Sequence, residues 1–521
     1  MKQILWADDE IDLLRPHIIF LENKGYRVTA VTNAEDAIIS LERQAFDLVL
    51  LDEMMTGMDG LQALPLIQQT SPGMPVIMIT KSEQEDLMEE ALAENVQDYL
   101  TKPVNPSQIL SSVKRLLERQ RIARDRLTRD YTAEFGEIMS LIDSDPGAQE
   151  WMDLHLKLCE REIALDAHGE PGLLHTLMDQ REECNRAFSR YVQREYRDWV
   201  NGENQPMVSV DLFRRKVIPE LRKKDHVWFI VIDNLRLDQW LDLEPLLYDD
   251  FIVKKETYFS ILPTATPYSR NALFSGLWPL EIAQQYPEIW KQGEDDESSR
   301  NRHEADLLED QLRRENITLK KKMRYVKILD NNDAKQLLSH TDLHLSSSLS
   351  AMVFNFIDIM AHRRSESQIL REIVPDESAY RQLTRTWFEH SPLFELLKQA
   401  ARNGVTVVVT SDHGSIRAKH EILVHADRET STNLRYKYGR SIRAESKQVF
   451  NIKDPASCGL PNSRFNTNYL IAQSDTFFVY PNHFHRFANL YKDSLQHGGI
   501  SMEEMILPVA LLEPKQGAAG D

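Results

Sequence analysis

Cysteine is scarce: Cys159, Cys184 and Cys458 are the only three in 521 residues, far apart and without a CxxC pair. That excludes a disulfide framework or a thiolate metal cluster and fits a reducing compartment. Long apolar runs are missing as well. No stretch approaches the ~20 apolar residues that cross a bilayer, and the opening MKQILWADDE runs into acids rather than an apolar leader. The expectation is a cytoplasmic protein with no membrane insertion. Basic charge is in deficit, with 62 Lys and Arg against 81 Asp and Glu and a net charge of −19. Such a balance opposes a general surface for duplex DNA, and no helix-turn-helix or basic recognition helix is visible. Internal repeats are absent, and low complexity is confined to the short tail at 515–521.

What is present is ordinary globular composition, 42% hydrophobic and 27% charged, over a length suited to three or four units of ~100–200 residues each. Short apolar runs at 3–9 (QILWADD), 46–52 (FDLVLLD) and 75–80 (PVIMIT) alternate with helix-like stretches Asp12–Asn23 and Ala34–Gln44. Tyr99–Lys102 and a last helix, Pro106–Glu118, continue the pattern. Apolar strands alternating with amphipathic helices predict a parallel sheet covered on both faces, so residues 1–119 read as one doubly wound, flavodoxin-like α/β domain. Residues 120–205 carry Leu, Ile and Met at helical spacing among dense charges, with breaks at Asp145-Pro146-Gly147 and Gly169–Gly172. They predict a helical bundle or connector. A second α/β domain, 206–514, is marked by apolar runs at 227–233, 351–358 and 405–412, and the charged stretch Trp290–Lys322 reads as a solvated insertion.

The first domain holds what an aspartate needs to accept a phosphoryl group. An acceptor carboxylate belongs at the C-terminal end of a strand, with further acids to hold a Mg²⁺ through oxygen and a hydroxyl and an ammonium for the new phosphoryl oxygens. Asp8 and Asp9 end the first strand, Asp52 the third and Thr80 the fourth, and Lys102 follows the fifth. In ADDE, LLDEMMTGMDG, MIT and DYLTKP the domain resembles the receiver family over 1–119. The resemblance implies Asp52 as phospho-acceptor, Asp8 and Asp9 beside it as Mg²⁺ ligands, Thr80 and Lys102 as switch residues and Tyr99 as the aromatic that turns inward. Thr56 and Lys81 depart from the pattern, standing where the family usually has proline and a small residue.

The second α/β domain also ends its runs in acids, Asp233, Asp358 and Asp412. Thr266 precedes Pro267, so it reads as the N-cap of a helix towards Phe274, where amides and the helix dipole favour a phosphate. His362 follows Asp358 in DIMAH, His413 adjoins Asp412 in SDHG, and His497 precedes two glycines in HGGISMEEM. Carboxylates mixed with imidazoles suit Zn²⁺, and two such ions can serve phosphoryl transfer. Arg270 and Asn271, one turn after Thr266, are placed to hydrogen-bond a phosphoryl oxygen, or to cap and solvate the helix. The run NLRYKYGR, with Arg435, Lys437 and Arg440 among tyrosines, reads either as a nucleotide cradle or as an exposed strand with alternating faces.

In VIDNLRLDQW, PTATPYSRNALFSG, NFIDIMAH, TSDHG and HGGISMEEMILPV this domain resembles the PglZ group of the alkaline phosphatase superfamily. The resemblance implies one zinc site from Asp233, Thr266, Asp412 and His413, a second from Asp358, His362 and His497, and Thr266 as the attacking hydroxyl. The whole arrangement resembles the PorX-type response regulators. That implies a sensor histidine kinase as phosphoryl donor, a role in type IX secretion, and a zinc phosphodiesterase output acting on nucleotides or oligonucleotides. The alternative output is a metal-containing regulatory domain without catalysis, binding a sigma factor or a secretion component. Amphipathic helices directly after the receiver predict a phosphorylation-promoted homodimer.

Overall fold

A computed structural model describes residues 2–71, 73–80, 96–167, 171–290, 300–426, 433–444, 446–462 and 467–515. Contacts divide the chain into two compact units, 1–133 and 134–521. The first is built on five parallel strands, β1 (Lys2–Ala7), β2 (Tyr26–Val31), β3 (Leu48–Asp52), β4 (Val76–Thr80) and β5 (Asp98–Thr101), in the order β2–β1–β3–β4–β5. Because side chains alternate across a strand, Leu5, Val49 and Met78 bury into one face of the sheet while Ile4, Leu50 and Ile77 bury into the other. Each side chain of this size contributes about 1.5–3 kcal/mol on burial, so both faces must be covered by helices.

The helix expected over Pro106–Glu118 runs on to Asp143. Neither Gly nor Pro occurs between Pro106 and Gly136, so nothing local stops it. Asp145, at φ +60°, turns the chain ahead of the next helix, Ala148–Ala167, and a third follows at Pro171–Val200. The last of these packs on the rest of the second unit through aromatic side chains. Phe188 stacks on Phe259 at 6.0 Å and Trp199 meets the same ring at 5.2 Å.

The second unit centres on a six-stranded mixed sheet. Its parallel strands are β6 (Val227–Ile232), β8 (Arg324–Ile328), β9 (Leu349–Phe354) and β10 (Thr406–Thr410). Across one edge, β7 (Phe251–Phe259) and the last strand, Ile506–Pro514, run antiparallel, giving the order β7–last strand–β10–β6–β9–β8. Trp228, Ile230 and Val407 pack to one side, and Phe229, Val231 and Val408 to the other. β6, β9 and β10 lie side by side and in the same direction, which brings their carboxyl ends together at one rim, where open α/β sheets place their chemistry.

One boundary differs from the sequence reading in a way that matters. The run 351–358 is not a strand throughout: β9 ends at Phe354, and Asp358 lies in the first turn of the helix Phe356–Glu366. Asn355, at φ −96° and ψ 7°, breaks the extended backbone. A carboxylate in the first turn of a helix also meets the favourable end of its dipole.

Candidate phospho-acceptor and two-metal sites

In the N-terminal unit, Asp8, Asp9 and Asp52 can each bring one oxygen into a common sphere. Asp8 and Asp52 are buried and Asp9 is exposed. Lys102 Nζ lies 2.9 Å from an oxygen of Asp8 and 2.9 Å from one of Asp52. Burial pushes Asp52 up to about 6, assisted by the charges of Asp8 and Asp9 and opposed by Lys102. Asp52 Oδ1 is buried with no hydrogen-bond partner among the described residues. An oxygen so placed fits a cation or an incoming phosphoryl group.

Thr80 and Tyr99 point elsewhere in this structure. The Thr80 hydroxyl donates to Glu53 Oε2, and the Tyr99 hydroxyl reaches the same oxygen at 3.4 Å. Glu53 is buried, and its position directly after Asp52 gave no sequence signal for these contacts. Lys81 lies outside the described residues.

In the second unit, the rim of the sheet gathers the acids and imidazoles singled out in the sequence. Asp233 follows β6, Asp412 and His413 follow β10, and each of the three can bring one donor atom into a common sphere. Asp358, His362 and His497 form a second such group, with His362 exposed and His497 buried. The two groups adjoin: the His413 and His497 rings stack at 4.2 Å, and His497 Nε2 lies 3.2 Å from His362 Nε2. Burial drives His413 down to about 4 and His497 down to about 3, so both imidazoles are neutral near pH 7.

The hydroxyl stands between these groups and its helix. Thr266 is the first residue of the helix Thr266–Ser275, and Ala265, not Thr266, is the N-cap. Its hydroxyl does not cap. It lies 3.0 Å from His413 Nε2, a separation that two ligands of one small cation can adopt at bond lengths of ~2.0–2.1 Å. Asn234, at φ +64°, turns the chain after Asp233 and donates its side-chain amide to Asp358 Oδ1 at 3.2 Å, linking the two groups. Gly414 lets the backbone after His413 approach the Glu503 carbonyl, since a Cβ there would collide with that oxygen.

Arg270 and Asn271 are turned inward. The Arg270 guanidinium is fully buried; it pairs with Asp233, meets Asp412 at 3.0 Å and lies 3.7 Å from Glu304. Burial alone would raise both aspartates. Arg270 and His413 overcome it at Asp233 and hold it at about 2, whereas at Asp412 burial and the negative charge of Asp233 outweigh Arg270 and push it up to about 7. The Asn271 amide donates to the carbonyls of Pro267 at 3.0 Å and Arg300 at 3.2 Å. Asp233 Oδ1 and His497 Nδ1 are buried without a hydrogen-bond partner among the described residues. This donor set, mixed oxygen and neutral nitrogen with unsatisfied atoms facing inward, fits divalent zinc.

Two further sequence readings need correction. The basic run is not an open cradle: Arg435 is fully buried against Glu504, which accepts from its Nε at 3.1 Å, and Lys437 is buried with its ammonium 4.5 Å from the Tyr480 ring. Arg440 alone of the three is exposed. The charged stretch Trp290–Lys322 is not simply solvated. Residues 291–299 lie outside the described residues, but Arg300, Asn301 and Glu304 are buried, and Asn301 donates to the Thr266 carbonyl at 3.3 Å.

Comparison with known proteins now bears on this geometry. Residues 212–512, more than half of the chain, match the BREX system PglZ alkaline phosphatase-like domain. The chain belongs to the PglZ alkaline phosphatase-like family. Residues 4–114 match the response regulator receiver domain and 121–200 the PorX response regulator linker domain. Receiver, linker and PglZ effector together are the arrangement of a PorX-type response regulator. Among curated proteins, the chain is similar to the transcriptional regulatory protein ZraR of Klebsiella oxytoca, 28% identical over 187 residues, 36% of this chain and 41% of that protein. The alginate biosynthesis transcriptional regulatory protein AlgB of Pseudomonas aeruginosa is 35% identical over 136 residues, 26% of this chain and 30% of that protein. The chain thus spans less than half the length of these relatives. A CheY-like receiver structure from Methanospirillum hungatei is 30% identical, covering 23% of this chain and 95% of its own, at a TM-score of 0.22. No helix among the described residues is long and apolar enough to cross a membrane.

Proposed function

We propose that phosphorylation of Asp52 by a sensor histidine kinase controls a zinc-dependent phosphodiesterase in the PglZ effector, acting on nucleotides or short oligonucleotides. The convergence that carries the reading is the pair of donor groups, Asp233, Asp412 and His413 beside Asp358, His362 and His497, with the Thr266 hydroxyl 3.0 Å from His413. Zinc at these groups would neutralise the phosphoryl oxygens and lower the pKa of a coordinated hydroxyl. The Thr266 hydroxyl gives up its proton as Oγ1 attacks phosphorus, the leaving ester oxygen departs with its electron pair and takes up a proton, and water then cleaves the Thr266–phosphoryl bond, releasing a phosphomonoester and restoring the hydroxyl.

The position of Arg270 supports a diester over a monoester. A monoester carries an additional negative charge, and the one arginine that the sequence places one turn from Thr266 is already engaged by Asp233, Asp412 and Glu304. The linker match supports a place in the control of type IX secretion. The test is hydrolysis of bis-p-nitrophenyl phosphate and short oligonucleotides by the zinc-loaded full chain. Wild type should turn over and Thr266→Ala should fall to background. Equal background rates would leave the effector as a metal-holding module that binds a sigma factor or secretion component.

A further inference from the structure

Away from the hydrolase centre, the helix Pro171–Val200 and the wall of the effector line a cleft of about 480 Å³. Glu182, from the middle of that helix, and Asp475, from the turn before the strand Thr476–Val479, both line it. His420 opens the neighbouring strand, His420–His425, and is in register with Thr476, which sets its ring beside Asp475. Each of the three can bring one donor atom into a common sphere. His420 Nδ1 stands 3.0 Å from Asp475 Oδ1.

An ordinary His–Asp hydrogen bond accounts for one oxygen of Asp475 and leaves the other unexplained. Asp475 is only 5% exposed, and its Oδ2 is buried with no hydrogen-bond partner among the described residues. A buried acceptor left unpaired costs about 1–3 kcal/mol, more when charged. Nor is there a compensating cation: no lysine or arginine among the described residues forms an ion pair with Asp475, and Glu182 has only Arg186, one turn along its own helix, at 3.5 Å. Two carboxylates and an imidazole, with one oxygen aimed at nothing, want a small cation of borderline softness.

We propose that Glu182, His420 and Asp475 form a third divalent transition-metal site, which fastens the linker helix to the effector. It consists of none of the residues of the hydrolase centre, yet it lies one helical turn from a direct link to it. Arg181 and Asn185, flanking Glu182 on the helix, bind Glu503 at 3.2 and 2.9 Å, and Asn185 also accepts from the Met502 amide at 2.8 Å. Glu503 and Met502 belong to the same HGGISMEE segment as His497. A cation that holds Glu182 therefore holds the helix register that positions this segment. The site makes docking of the linker sensitive to zinc independently of catalysis.

The test uses the full chain, stripped of metal and titrated with Zn²⁺ by equilibrium dialysis, comparing wild type with Glu182→Gln and His420→Gln. His420 is exposed and Glu182 half-buried, so both variants should fold, and unfolding in the presence of a chelator should match wild type. Wild type should retain one tightly bound zinc per chain more than either variant, and zinc should raise the Tm of wild type by more than that of the variants. The extra zinc should persist in the Asp233→Asn, His413→Ala double variant, so its presence does not depend on hydrolysis or on the proposed effector chemistry. Equal zinc uptake by wild type and both variants would overturn the proposal.

Discussion

Asp233 and Asp412 are buried side by side, and in the structure the cation that neutralises them is the guanidinium of Arg270. Removing one partner of a buried charge group typically costs about 3–5 kcal/mol because the other is left uncompensated. Arg270→Ala should therefore destabilise the metal-free effector by roughly that amount, and added zinc should recover part of the loss by taking over the charge. Urea unfolding with and without zinc measures both. A second residue reports on pH. His344 is buried with Nδ1 3.1 Å from Ser350 Oγ, and burial, then Arg324 and His340, holds it at about 4. An unfolded histidine titrates near ~6.5, so between these values the unfolded chain binds more protons and stability must fall as pH is lowered through that window. His344→Gln should flatten the stability profile there, and an unchanged profile would refute the assignment. At this scale the acids Asp52, Asp233 and Asp412 stood out in the sequence because each closes an apolar run. Glu304 and Arg435 were not. Glu304 sits in a stretch whose composition reads as solvent-facing, and the partner of Arg435 is Glu504, 69 positions away, a pairing no local pattern reveals.

Strands read well from the chain because buried parallel strands are continuous apolar runs, and β3, β4, β6 and β10 all lie within the stretches expected. Helix ends read less well, since a helix stops only where something stops it. The helix from Pro106 passes the expected end at Glu118 and continues to Asp143 through charged sequence free of Gly and Pro up to Gly136. Docking of the helix Pro171–Val200 was also illegible, because its aromatic and ionic partners come from distant segments. The loop after β10 allows a firm prediction. Gly414→Ala would drive a methyl group into the Glu503 carbonyl, and forced overpacking costs typically 1–3 kcal/mol, occasionally more. The variant should unfold at lower urea than wild type and, by displacing His413, bind zinc more weakly. Isothermal titration with zinc gives the second quantity.

In the molecule as a whole, a receiver domain is followed along the chain by linker helices and a PglZ alkaline phosphatase-like domain. Phosphorylation at Asp52 should promote a homodimer through these helices. Sedimentation with and without an acyl-phosphate mimic such as beryllofluoride should show a shift from monomer to dimer in wild type and none in Asp52→Asn. A monomer under both conditions would refute the coupling. The most direct test of the central claim is anomalous diffraction at the zinc absorption edge from crystals of the zinc-loaded chain. Two peaks should appear at the rim of the effector sheet, one among Asp233, Thr266, Asp412 and His413 and the other among Asp358, His362 and His497. A rim without anomalous signal, or zinc bound there by other side chains, would contradict the account.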